Sequence, residues 1–107
     1  MRYAFHDLGR QPEGSTAIVR WSGSAADVFL LDPVNFTKYR EARLPVVYSG
    51  GGHYRRPPAH LTIPEEGRWY VVADLGGYSA FAEATVEVMG EQDDERLQDE
   101  QALVEVG

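Results

Sequence analysis

The sequence predicts an all-β fold: an antiparallel β-sandwich of jelly-roll type, with about seven strands and one short helix. Short stretches of alternating polarity recur about every 8 to 14 residues, which is typical of sandwiches. Between these stretches lie most of the 11 Gly and 6 Pro residues, which mark turns. The chain has 107 residues, the length of one ordinary domain, so a single core is expected.

Seven stretches show the pattern of a strand: residues 3–8, 15–22, 26–31, 45–49, 59–63, 68–75 and 81–89. Residues 81–89 alternate most regularly between small apolar and polar side chains. Residues 28–31 are apolar on both faces, so this strand is expected at the centre of a sheet and covered on both sides. Trp21 and Trp69 are in phase with the inward-facing residues of their strands and are expected in the core.

One helix is predicted, over residues 33–42. Asp32, which precedes Pro33, or Asn35 would serve as its N-cap, and Phe36 and Tyr39 would share one face. Turns are predicted at residues 9–14, 22–24, 64–67 and 76–77, and a longer loop at residues 50–58. Gly76 and Gly77 supply the positive φ angles that a tight hairpin turn needs.

The charge is unevenly distributed along the chain. The net charge is −7. Residues 1–90 contribute −1 and residues 91–107 contribute −6, so the acidity belongs to the C-terminal end. We therefore divide the chain into a β-sandwich domain, residues 1–90, and an acidic tail, residues 91–107, for which a docked helix is the alternative. A nearly neutral body lacks the broad basic face of nucleic-acid-binding proteins, so no nucleic-acid partner is expected.

Composition excludes several further classes of protein. Cysteine is absent, which excludes a disulfide scaffold, a thiolate zinc site and a cysteine nucleophile. No apolar run approaches the roughly 18 residues of a membrane span, so no membrane partner is expected. The first residues contain no apolar signal-peptide region, and we expect a cytoplasmic protein.

Several short motifs occur in a fixed order along the chain. They are Phe5-His6-Asp7-Leu8-Gly9, Ser22-Gly23-Ser24-Ala25-Ala26-Asp27-Val28, Asn35-Phe36-Thr37-Lys38-Tyr39, Tyr48-Ser49-Gly50-Gly51, Pro64-Glu65-Glu66-Gly67-Arg68-Trp69-Tyr70-Val71 and Asp74-Leu75-Gly76-Gly77-Tyr78. Over residues 3–89 the sequence resembles a family of short bacterial domains of unknown function, which occur alone or fused to TIR domains and are described as β-sandwiches. The resemblance implies that fold, a cytosolic bacterial setting and a binding or sensing role. It implies no catalytic residue.

The segment from Gly50 to Pro58 contains the most unusual local chemistry. The candidate ligand-binding residues are Gly50, Gly51, His53, Tyr54, Arg55, Arg56 and, from another turn, Tyr78. Glycines allow the backbone to approach a ligand closely, arginines bind carboxylate or phosphate, and Tyr and His add a stacking face and a titratable donor. The alternative is a flexible connection that two arginines keep soluble.

Other constellations are weaker. His6, His53 and His60 lack the spacing of a local metal-ligand pair, so no metal and no cofactor is predicted. A Ser/His/Asp triad lacks the G-x-S-x-G motif that would support it, which makes a small hydrolase the least favoured function. Aromatic residues could stack on sugars, but the tryptophans are expected inside the core.

We therefore expect a non-enzymatic module that recognises a small-molecule, anionic or protein ligand. The alternative is a carbohydrate-binding module, which predicts an exposed tryptophan. The sequence leaves the ligand and a homo-oligomeric state undetermined.

Overall fold

The computed structural model describes residues 3–22, 25–74 and 84–90. Within these residues the chain forms seven strands and one helix. In chain order they are β1 (Tyr3–Gln11), β2 (Thr16–Trp21), β3 (Ala26–Leu31), α1 (Pro33–Arg40), β4 (Gly50–Tyr54), β5 (Ala59–Thr62), β6 (Gly67–Asp74) and β7 (Ala84–Met89). No helix in these ranges has the length and apolar character needed to cross a membrane.

The strands form two antiparallel sheets. The four-stranded sheet has the order β1-β6-β3-β4, and the three-stranded sheet has the order β5-β2-β7. Alternate residues of both sheets point towards each other and form one hydrophobic core. The predicted all-β sandwich with one short helix is confirmed.

Both tryptophans lie in this core. Trp21 from β2 is 6% exposed and Trp69 from β6 is 3% exposed. The Trp69 indole N–H also donates to the Glu65 carbonyl, at 3.0 Å. The predicted inward position of both indoles is confirmed, because each lies in phase with the buried residues of its strand.

A second, smaller core lies on the outer side of the four-stranded sheet. Leu31 from β3 and Val72 from β6 point away from the sandwich and are fully buried beneath Phe36 of α1. β3 lies between β6 and β4 and is covered on both faces, as predicted. The molecule therefore has three layers: α1 with the segment that follows it, the four-stranded sheet and the three-stranded sheet.

The prediction of the fourth strand was wrong. Residues 45–49 are irregular, and the strand consists of Gly50–Tyr54, which was predicted to be a loop. Glycine is uncommon in strands, so the three consecutive glycines favoured a loop. Gly51 has a φ of +102°, and a Cβ built there would lie 1.9 Å from the Val28 carbonyl oxygen of β3. The close approach between β4 and β3 therefore requires glycine at this position.

The other boundaries differ from the prediction by a few residues. β1 continues to Gln11, through the turn predicted at Gly9. The pairing of β1 with β6 shifts register between Asp7 and Gly9, so the glycine marks an irregularity within the strand and not its end. The helix ends at Arg40 rather than at residue 42. The turn predicted at residues 76–77, Tyr78, the beginning of the strand predicted at 81–89 and the acidic tail at 91–107 lie outside the described residues.

Gly51→Ala should lower the free energy of unfolding by more than about 2 kcal/mol, because it combines a positive φ with a backbone clash. Gly50→Ala is the matched control in the same strand, since its Cβ would meet only Leu30 side-chain atoms, at 3.7 and 3.9 Å. Urea denaturation followed by tryptophan fluorescence measures both variants. Equal stability of the two variants would contradict the assigned pairing of β4 with β3.

Candidate functional site

Residues 32–49 form a cover segment over the outer face of the four-stranded sheet. The segment begins with Asp32, whose carboxylate accepts from the Asn35 backbone N–H at 2.8 Å and from the Asn35 amide at 3.0 Å. The Asn35 side-chain oxygen in turn accepts from the Val47 backbone N–H at 2.9 Å. This nearly buried amide therefore joins the end of the cover segment to its beginning.

Aromatic contacts hold the cover segment on the sheet. The Phe36 ring stacks on Tyr70 of β6 with the centroids 4.1 Å apart and the planes 7° apart. Farther along, Tyr48 stacks on Phe29 of β3 at 4.2 Å. These contacts fix two separate points of the segment against the sheet, one in α1 and one after it.

A pocket of about 370 Å³ lies between the cover segment and the start of β1. We call it the tyrosine pocket; its lining residues are Tyr3, Tyr39, Arg40, Ala42, Leu44, Val46 and Tyr48. Tyr3 and Tyr39 meet edge to face at 5.1 Å and form one wall. Its volume lies in the range of small-molecule sites, and its lining is mostly apolar with a few polar groups, as such sites usually are.

The hydroxyl of Tyr39, one of the lining residues, is a hydrogen-bond donor. It donates to the Asp74 carboxylate at 3.4 Å. Burial of the ring, followed by the negative charge of Asp74, raises the pKa of Tyr39 well above its ordinary value. The hydroxyl therefore stays protonated throughout the physiological range of pH.

Arg40 supplies positive charge at the same place. Its guanidinium carbon lies 5.7 Å from the ring centroids of both Phe5 and Phe36, within cation–π distance. No carboxylate forms an ion pair with Arg40 in the part of the chain that the structure describes. The guanidinium thus lies against rings, and no carboxylate of the described residues uses its hydrogen-bond donors.

The large exposed hydrophobic side chains are concentrated on this side of the molecule. Within the described ranges they are Phe5, Val34, Leu44, Val47 and Tyr48. Leu44 is 86% exposed and Val34 is 64% exposed. Four of the five belong to the cover segment, and Phe5 touches Phe36 with ring centroids 5.1 Å apart. The outer face of the three-stranded sheet instead presents polar pairs such as Arg20 with Glu87, 2.7 Å apart.

Those residues of the ligand site proposed from sequence that the structure describes lie in β4 or directly after it, and one of them, Tyr54, faces the core. Gly50, Gly51, His53 and Tyr54 lie in β4, the edge strand of the four-stranded sheet, and Arg55 and Arg56 follow it on the surface. Tyr54 points inward and packs edge to face on Trp21, with the centroids 6.4 Å apart. Tyr78 lies outside the described residues. Gly51 therefore has a structural role in the pairing of β4 with β3, and Tyr54 has one in the core.

The histidines lie in three different places. His53 Nδ1 is 2.7 Å from the Asp27 carboxylate, and both side chains are largely exposed. The His6 Nε2 donates to the Ala84 carbonyl at 2.8 Å and joins the two sheets at one edge. His60 is exposed on β5. No group of three or more metal-ligating side chains occurs in residues 3–22, 25–74 and 84–90.

Sequence reasoning missed the tyrosine pocket. It assigned Tyr39 to an apolar helix face, but it placed residues 45–49 in a strand, so Val46 and Tyr48 were not expected beside Tyr3. The run Leu44-Pro45-Val46-Val47-Tyr48 contained a usable signal, because it does not alternate with polar residues and contains a proline. A run of this kind fits a segment laid across a sheet better than a strand within it.

A family model described as a domain of unknown function, DUF1883, matches residues 1–92. The chain belongs to this family. The DUF1883 description names no reaction and no ligand, so no residue receives a role from it. Comparisons with curated proteins and with solved structures find no match.

A surface ion pair joins β1 to β6. Asp7 pairs with Arg68 and also accepts from the Gly9 N–H at 2.9 Å. The hydrogen bond from Arg68, and then the one from Gly9, lowers the pKa of the Asp7 carboxyl below its ordinary 3.8. Because the pKa of Asp7 is lower in the folded protein, the pair stabilises the fold fully at a pH above the ordinary pKa of the carboxyl. This contribution is lost as the pH falls through the lowered pKa.

Arg68→Ala should therefore raise the pKa of Asp7 towards 3.8, as measured by an NMR titration of its carboxyl carbon. Arg10→Ala is the control, because Arg10 is paired with Glu66 at 3.2 Å instead. An Asp7 pKa that moves equally in both variants would argue against the assigned pair.

Proposed function

We propose that this DUF1883 domain is a non-enzymatic recognition module that binds its ligand or partner on the cover segment. One observation carries the proposal. Among the described residues, four of the five large hydrophobic side chains that are exposed belong to the cover segment, and two of them, Leu44 and Tyr48, line the tyrosine pocket. Soluble proteins rarely leave apolar side chains clustered at the surface unless the cluster serves an interaction.

The construction of the cover segment supports this role. It is a short helix followed by irregular chain, fixed on a sandwich by the Phe36–Tyr70 and Tyr48–Phe29 stacks. Binding residues commonly lie on connecting segments that a rigid scaffold positions. The side chains of Leu44 and Val47 are largely exposed, and a partner would bury them.

The proposal includes no catalysis. The His53–Asp27 pair is the nearest approach to an acid–base pair in the described residues, and no hydroxyl nucleophile hydrogen-bonds to it there. Both of its side chains are about half exposed or more, whereas catalytic pairs act in sites from which water is excluded.

A carbohydrate-binding role is the alternative, and the buried tryptophans count against its usual form. Trp21 and Trp69 provide no exposed platform for a sugar. Among the described residues, Tyr3, Tyr39 and Tyr48 of the tyrosine pocket offer rings on which a sugar could stack. The test below therefore includes sugars.

We further propose that the domain acts in a bacterial cytoplasm, alone or beside signalling domains such as TIR, as its resemblance to domains of that kind implies. Arg55 and Arg56 are exposed beyond the edge strand and are retained as a secondary contact for an anionic partner.

The proposed binding face can be mapped with ¹⁵N-labelled protein and a library of small probe molecules: aromatic anions, aromatic cations, neutral aromatics and sugars. We expect amide shifts for residues 3–5 and 34–48 with at least one class of probe, because an apolar pocket is where small molecules gain most from burial. The combined Leu44→Ser and Val47→Ser variant should weaken this binding about tenfold or more, since it removes exposed apolar contacts.

Thr62→Ser, on the outer face of the three-stranded sheet, is the matched control and should leave binding unchanged. Emission from the two buried tryptophans reports whether each variant is folded. If no probe of any class shifts the cover segment, or if all shifts map to residues 53–56, the proposed face is wrong.

A further inference from the structure

We infer that the tyrosine pocket binds a small anionic ligand with a flat apolar part, of which an aromatic carboxylate is the simplest example. This inference rests on the proposed function and specifies the ligand class of the same face. Three observations carry it: the ring walls of the pocket, the position of Arg40 and the charge of the surrounding helix end.

The walls of the pocket favour a flat, apolar group. Tyr3, Tyr39 and Tyr48 present rings, and Leu44 and Val46 add aliphatic surface. The edge-to-face contact of Tyr3 with Tyr39 fixes the orientation of that wall before any ligand arrives. Rings bind flat ligands by stacking and edge contacts, at little cost in side-chain entropy when they are already held in place.

Arg40 favours a negative charge on the same ligand. Among the described lining residues it alone is ionised at neutral pH. Its guanidinium lies against rings, and no carboxylate of the described residues pairs with it. An incoming anion would therefore displace no ion pair with those residues. An arginine of this kind can donate two parallel hydrogen bonds to a carboxylate.

The charges around the pocket also favour an anionic ligand. The last turn of α1 carries Lys38 and Arg40, while Glu41 is paired with Arg43 at 3.2 Å. Residues 38–43 thus have three positive side chains and one negative one in a chain whose net charge is −7. Asp74 of β6 accepts a hydrogen bond from the Tyr39 hydroxyl and is not among the residues that line the pocket.

The same features disfavour an aromatic cation. A tyrosine-lined pocket could enclose an ammonium group, but the Arg40 guanidinium would repel a second positive charge beside it. A neutral ring would keep the stacking and lose the charged hydrogen bonds. A comparison of affinities therefore distinguishes an aromatic anion, an aromatic cation and a neutral ring.

The test uses four probes with the full chain: naphthalene-2-carboxylate, its neutral isostere 2-naphthamide, the cation 2-naphthylmethylammonium, and acetate as the anion without a ring. Affinity is measured by NMR titration of amides in residues 36–48. We expect the naphthoate to bind at least tenfold more tightly than the amide or the ammonium compound, and acetate to bind most weakly.

Arg40→Gln should remove this preference, lowering naphthoate affinity tenfold or more while leaving the amide within about twofold. Arg43→Gln is the matched control, because Arg43 lies three residues along, does not line the pocket and is paired with Glu41. It should change naphthoate affinity less than twofold. Tryptophan emission confirms that both variants are folded.

Tighter binding of the amide or the ammonium compound, or equal loss of naphthoate binding in both arginine variants, would overturn the inference and leave the cover segment as the binding face. If none of these probes and no member of the wider library shifts the cover segment, the proposed function fails with it.

Discussion

Leu31 and Val72 point away from the sandwich core and yet are fully buried, so the four-stranded sheet has to be covered on its outer side as well. An apolar sheet face left in water would cost free energy in proportion to its area. The cover segment meets this requirement with one residue above all, Phe36, which packs over both aliphatic side chains and stacks on Tyr70. The position of the rest of the segment, including the tyrosine pocket, follows from that anchor and from the hydrogen bond between Asn35 and Val47.

Different residues of the cover segment pack on the sheet and face the solvent. Phe36 and Val46 pack against the sheet, whereas Val34, Leu44 and Val47 face solvent. The helix has only eight residues and is followed by irregular chain, so the place of the segment depends on its contacts with the sheet. Val34, Leu44 and Val47 remain largely exposed in spite of those contacts. The proposed recognition role accounts for these exposed side chains. It involves no residue of the sandwich core, which contains both tryptophans.

Periodicity predicted the sandwich because burial on one face leaves a period of two in the sequence, as in β2 and β6. It also identified β3 as a central strand, since apolar residues on both faces require two covering layers. It failed at residues 45–54, where the apolar run belongs to the cover segment and the glycines belong to a strand. Gly51 is needed because the Val28 carbonyl occupies the space of a side chain, which is a contact between distant residues that local patterns do not encode. The tyrosine pocket was missed for the same reason, because only the tertiary fold brings Tyr3 and Tyr48 to the lining of one pocket.

The central claim is that Phe36 holds the cover segment as a layer separate from the sandwich core. Hydrogen–deuterium exchange of Phe36→Ala against the unaltered protein tests it most directly, because the two hydrophobic clusters share no buried residue. The account predicts that amides of residues 33–48 lose protection, while amides of β2 and of the inner core residues of β6 keep theirs. Equal loss of protection in β2, or no change in residues 33–48, would contradict it.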